Sequence, residues 1–114
     1  MTNLLKAEKT LNFPNDKTYQ AKMSLDTIMG IESALNSSIL AVANKLSGGG
    51  LTLTDIITII TLSVRAGGNN VKDADVKELI SEIGLVKAVE NVGDLLTMAL
   101  TSDSEQSDEK KSQA

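Results

Sequence analysis

Cysteine and histidine are both missing from this sequence of 114 residues. Without cysteine there is no disulfide, thiolate metal site or cysteine nucleophile, a usage that suits a reducing compartment. Without histidine, the commonest general base at neutral pH and the commonest transition-metal ligand are gone as well. An enzyme is therefore not expected, and neither are catalytic residues, cofactors or bound metals. Aromatic side chains are nearly absent too. One tyrosine, one phenylalanine and no tryptophan leave no stacking platform for single-stranded nucleic acid. Carboxylates outnumber basic residues 15 to 11, and Arg65 is the only arginine; a duplex binder needs clustered cations instead. No apolar run reaches the roughly 20 residues that cross a bilayer. The start MTNLLKAEKTLNF has no basic patch leading into an apolar segment, so neither membrane insertion nor export is expected.

What is present reads as a mainly α fold of the α+β kind in a single domain over residues 1–100: an N-terminal β-hairpin packed on about four helices. The length allows one modest core. Over residues 9–23, Leu11 and Phe13 alternate before a turn, PNDK, and Tyr19, Ala21 and Met23 alternate after it, a hairpin pattern. Such a ribbon is marginal alone and has to pack on something else. Ile28, Ile31, Leu35, Ile39, Val42 and Leu46 follow with the three-and-four spacing of one helix over about 25–46, with Ser24 as N-cap. Gly30 and the NSS at 36–38 leave a kink or break near Asn36 open. Gly48, Gly49 and Gly50 end the helix.

The glycines raise a choice between a phosphate loop and a hinge. The best-known phosphate loop needs Lys followed by Ser or Thr after its last glycine, but Gly50 is followed by Leu51, Thr52 and Leu53, so the signature fails. The β-branched run after it fits a helix over 53–66: Leu53, Ile56, Ile57, Ile60 and Val64 form a stripe, Thr52 and Asp55 a capping-box start, and Gly67 with Gly68 a left-handed stop. Thr54, Thr58, Thr61 and Arg65 fall on the opposite side of the wheel. Ile59, Leu62 and Ala66 project away from the main stripe, so the helix is apolar on two sides. Either it is the central helix of the bundle, or these three residues form a contact surface for a partner chain. Asp73 is the expected N-cap of a helix over 74–83, with Val76, Leu79, Ile80 and Ile83 as its stripe and Gly84 as its stop. The last helix, over 85–100, has Leu85, Val89, Val92, Leu96 and Ala99 as its core positions. Residues 101–114, TSDSEQSDEKKSQA, offer almost nothing to bury and are expected to form a disordered acidic tail.

Three further motifs fail on spacing or charge. Asp73, Asp75 and Lys77 resemble the start of a calcium loop, but Glu78 stands where the turn needs glycine and Lys77 at a ligand position, so the acidic cluster reads as a helix start. The segment Ile56 to Ile83 has a helix-turn-helix outline, yet its second helix would present Asp73, Asp75, Glu78 and Glu82 to phosphate. An acyl carrier needs an Asp-Ser-Leu attachment site, and MSLDT lacks the aspartate before Ser24.

Taken together, YQAKMSLDTIMGIESAL with Glu32, LTLTDIITIITLSVRAGG with Asp55, Arg65 and the Gly67-Gly68 stop, then Val76, Ile80 and Gly84, and VGDLLTMAL with Asp94, Leu95 and Leu96 carry a resemblance. Over about residues 17–100 the chain resembles the tail assembly chaperone family of phages and gene transfer agents, first described as a tail tube protein family. The resemblance implies a nonenzymatic role in the host cytoplasm during virion assembly. Such chaperones coat the long, helical tape measure protein and keep it soluble until tail tube subunits displace them. The tape measure protein is thus the expected partner, with the tail tube protein as a second and self-association as a further option; nucleic acid and membranes are not expected partners. The alternatives are a structural tail tube or tail-completion protein and a small DNA-binding regulator.

Overall fold

The computed structural model describes the backbone of residues 8–13 and 17–113 and the side chains of residues 18–101. Among these, strands β1 (Glu8–Phe13) and β2 (Lys17–Lys22) precede five helices: α1 (Leu25–Leu35), α2 (Ile39–Ser47), α3 (Leu53–Ala66), α4 (Asp73–Ile83) and α5 (Leu85–Gln113). The mainly α fold with an N-terminal hairpin is the one expected. The strands pair antiparallel from Glu8 opposite Lys22 to Phe13 opposite Lys17. The expected turn residues 14–16, and the side chains of Leu11 and Phe13, lie outside the described residues. Along β2 the inward positions are as the alternation implies: Ala21 is buried, Tyr19 half-buried, and Met23 just beyond the strand is buried.

Helix α3 is the centre of the bundle, packed by β2, α1, α4 and α5. Its start is fixed by a capping box, in which Asp55 N–H donates to Thr52 Oγ1 at 3.0 Å and Thr52 N–H to Asp55 Oδ2 at 3.2 Å. It ends in a Schellman motif. Asn69 N–H reaches back to the Val64 carbonyl at 3.3 Å and Gly68 N–H to that of Arg65 at 2.9 Å, with Gly68 at φ 100°. Gly67 has an ordinary φ of −79°, so its requirement for glycine comes from packing: a Cβ there would collide with the Gln20 carbonyl of β2. Asn69 Nδ2 donates to the same carbonyl at 3.0 Å, and Arg65 Nε donates to the Val71 carbonyl at 2.7 Å. The end of α3, the hairpin and the loop to α4 are thereby joined.

The helix expected over 25–46 is two helices. Asn36 takes the left-handed conformation (φ 54°, ψ 44°) and Ser38 N-caps α2, its Oγ accepting from Ala41 N–H at 3.1 Å. The Glu32 carboxylate accepts from Ile39 N–H at 2.8 Å. The first turn of α2 therefore has two side-chain acceptors for donors that a continuous helix would have bonded internally. The apolar stripe survives the break because Ile31 and Val42 both remain buried. Helix α4 starts at Asp73, with Lys72 rather than Asp73 as its N-cap; Asp75 Oδ2 accepts from Lys72 N–H at 2.9 Å. Gly84, at φ 90°, separates α4 from α5. The backbone of α5 runs helical to Gln113, where a disordered tail over 101–114 was expected. Extending an existing helix needs no new nucleus, so a polar segment can follow the packed part of α5.

Other corrections concern faces. Leu53 and Leu85, counted above with core stripes, are about half exposed, while Thr61, placed on the polar side of α3, is 2 % exposed. Its hydroxyl has no hydrogen-bond partner among the described residues.

Two predictions follow from this packing. Gly67→Ala lowers stability by about 2 kcal/mol or more because backbone has to move, whereas Gly68→Ala, strained only in φ, costs about 1 kcal/mol; urea unfolding of both variants measures the order. Thr61→Val replaces an unpaired buried hydroxyl with a methyl group of the same shape and raises the unfolding free energy by about 1 kcal/mol, read by the same titration.

Candidate functional site

A largely apolar concave surface lies where the starts of α3 and α5 meet the end of α4. It is a groove of about 310 Å³, lined by Leu53 and Ile57 of α3, Lys77, Ile80 and Ser81 of α4, and Leu85 after the Gly84 junction. Ile57 and Ile80 form a buried floor, 8 % and 7 % exposed, and Leu53 and Leu85 stand at 51 % and 53 % as walls. Local chemistry positions each wall. The Thr52–Asp55 box starts α3 so that Leu53 is its first residue, and the positive φ of Gly84 turns the chain so that Leu85 opens α5 beside the end of α4. Val86, next in sequence, is 74 % exposed, the highest value among the large apolar side chains of the described residues.

Nothing in this groove is arranged for chemistry. Ser81 Oγ already donates to the Glu78 carbonyl at 2.9 Å, and Lys77 at the lip is the one charged member. No nucleophile and base face each other, and among the described residues no group of three or more acidic, histidine or cysteine side chains is placed to hold a metal ion. An aliphatic floor with half-exposed leucine walls instead suits the side chains of another helix laid into it.

Two other depressions are accounted for by the fold. One, beside Met29, Glu32 and residues 36–38, is the α1–α2 junction: Glu32 and Ser38 cap α2, and Ser37 Oγ accepts from Lys45 Nζ at 3.0 Å. The other, polar and lined by Tyr19, Asn69 and Asp75 among others, holds Asn69 as the clamp on β2 and Asp75 as the cap of α4. Exposed apolar side chains also lie on α1. Leu25 and Met29, one turn apart on α1, are 60 % and 63 % exposed, with the exposed Asp26 between them.

The contact surface expected at Ile59, Leu62 and Ala66 is not brought together. Ile59 is fully buried, Leu62 is half-buried under α1 near Gly30, and Ala66 is exposed at the far end of α3. The physical reason is the central position of α3: a helix apolar on two sides is covered on two sides. Leu53 and Leu85 were missed because their spacing matches the core stripes; their place at helix starts, beyond the neighbouring helices' cover, is the signal that separates them. Arg65 and Glu32 hold the frame together.

A family model described as phage tail tube protein, GTA-gp10, matches residues 7–102. No curated protein and no solved structure matches the chain significantly. Among the described residues, no helix is long and apolar enough to cross a membrane.

The groove walls are predicted to be dispensable for folding. Leu53→Asp with Leu85→Asp changes the unfolding free energy by no more than about 0.5 kcal/mol per site, as for exposed positions generally, while binding of a hydrophobic dye falls; urea titration and dye fluorescence measure the two effects.

Proposed function

The chain belongs to the phage tail tube protein, GTA-gp10, family, and from that premise we propose that it is a tail assembly chaperone, without enzymatic activity, that binds the tape measure protein and keeps it soluble during tail morphogenesis in the host cytoplasm. The observation that carries this reading is the apolar groove at the α3–α4–α5 junction. A long helical protein exposes repeated apolar stripes before its tube is built around it, and a leucine-walled groove covers one short length of such a stripe. The contact is small, so each copy binds weakly and can be displaced by tube subunits, while many copies along one chain keep it covered. The Lys77 ammonium at the lip favours a stripe flanked by carboxylates.

A second reading is a structural tail tube or tail-completion subunit, favoured by the family's own description. A regulator of DNA has no such support, because α4 presents Asp73, Asp75, Glu78 and Glu82 along its surface.

Co-expression with the tape measure protein tests the proposal. The soluble fraction of that protein rises several-fold with the native chain and not with the Leu53→Asp, Leu85→Asp variant. Unchanged solubility with the native chain ends the chaperone reading. Stoichiometric incorporation of the chain into purified particles establishes the structural one.

A further inference from the structure

We propose that α2 is a strap that opens from α1 and α5 while the rest of the bundle stays folded, with the Glu32 carboxylate as its latch, and that opening uncovers apolar surface the closed bundle hides. Burial holds α2 weakly. Val42 is its one buried residue, fewer than any other helix has among the described residues, against seven on α3. Ile39 and Leu46 are only partly covered, and Leu40 is 62 % exposed. The helix packs on α1 and α5, whereas α1, α4 and α5 all pack on α3. A segment with few buried apolar contacts is the kind that opens on its own, below the free energy of global unfolding.

Hydrogen bonding isolates α2 in the same way. At its C-terminal end the amides of Gly49 and Gly50 return to the Leu46 and Lys45 carbonyls at 3.2 and 2.6 Å, so that the turn closes on α2 itself. Gly49 takes the left-handed φ of 77°, with open space around it. At the other end the Ser37 amide returns to the Glu32 carbonyl of α1 at 3.2 Å, and Ser38 caps α2 from within its own segment. Lys45 Nζ donates to Ser37 Oγ, in the linker. Among the described residues, one hydrogen bond therefore joins α2 to another helix: Ile39 N–H to Glu32 Oε2 at 2.8 Å. Charge-assisted and partly buried, it is stronger than an exposed neutral bond and is the natural latch.

Opening leaves the neighbours in place. The Thr52–Asp55 box starts α3 without help from α2, and the amides of Asn36 and Ser37 finish α1. What it uncovers is Val42 and, on α5, the seat of Leu46: a Cβ on Gly93 would stand 3.6 Å from Leu46 Cδ2, so the backbone of α5 lies close under that side chain. A helix as short as α2 is marginal in water once undocked, and the open strap unwinds. None of the residues lining the α3–α4–α5 groove belongs to α2. The inference thus goes beyond the tail-assembly reading and stands or falls without it.

Thiol labelling tests the strap. The chain has no cysteine, so one introduced thiol reports on one place. Val42→Cys on α2 and Val64→Cys on α3 both replace fully buried side chains with a small apolar one. Their reaction with N-ethylmaleimide is followed from zero urea to just below the global transition. The expected result is that Val42→Cys reacts at least about tenfold faster than Val64→Cys without urea, and that its rate climbs less steeply with urea, because a local opening exposes less surface. Adding Glu32→Ala to Val42→Cys speeds labelling about tenfold, the loss of one charge-assisted bond, and Glu32→Gln, which keeps an acceptor oxygen, speeds it less. Hydrogen exchange of the native chain gives the same order free of any cysteine substitution: the amides of Ala43 and Leu46 exchange with a weaker urea dependence than those of Ile59 and Ile60. Equal rates and equal urea dependence at the two thiols overturn the proposal, since α2 then opens only when the whole domain unfolds. Labelling of Val42→Cys that Glu32→Ala leaves unchanged overturns the latch.

Discussion

The whole arrangement depends on α3 being buried along nearly all of its length. Ile56, Ile57, Ile59, Ile60 and Val64 leave the helix in several directions, and each needs an apolar neighbour. Burial of such side chains is the main favourable contribution in a domain of this size, worth about 1.5–3 kcal/mol each. Elements that precede α3 in the chain, β2 and α1, and elements that follow it, α4 and α5, close around it. The hairpin, marginal in isolation, gains its stability from the same contact: Ala21 and Met23 enter the common core.

Surrounding one helix with so many short elements requires sharp reversals, and the polar residues are spent there. Thr52 with Asp55, Ser38 with Glu32, and Asp75 each satisfy amides at a helix start, and the Schellman turn after Ala66 satisfies carbonyls at a helix end. Gly67 is the tightest of these points. There the end of α3 meets the backbone of β2 with no space for a side chain, and Asn69 and Arg65 tie down the residues on either side. Glu32, Asp55, Asp75 and Asn69 are thus structural, and the groove at the α3–α4–α5 junction is apolar.

That apolar surface is a consequence of size. A short bundle covers the middle of its central helix more completely than the ends, and the starts of α3 and α5 extend past the cover of their neighbours. Leu53 and Leu85 are left half exposed over a floor of Ile57 and Ile80. A small domain always leaves some apolar area at its surface. Here part of it lines the groove, while Leu25, Met29, Leu40 and Val86 are exposed elsewhere on the helices.

The sequence by itself determined the mainly α class, the hairpin, the limits of α3, and the absence of the usual catalytic and metal-binding side chains. Those properties are local or compositional: period, capping chemistry and glycine stops act within a few residues, and a residue type that is absent cannot be supplied by folding. Only the tertiary structure decided which apolar residues are covered. Helical spacing puts Leu53 with Ile57, and Leu85 with Val92, on a single stripe, but whether a stripe residue meets a neighbour depends on where the neighbouring helix stops. The break at Asn36 was decided in the same way, since an apolar pattern continuous from Ile28 to Leu46 is equally served by two helices once Glu32 and Ser38 cap the second. Likewise the exclusion of any Cβ at Gly67 arises from a strand 47 positions earlier in the chain, at Gln20, a distance across which no local pattern carries information.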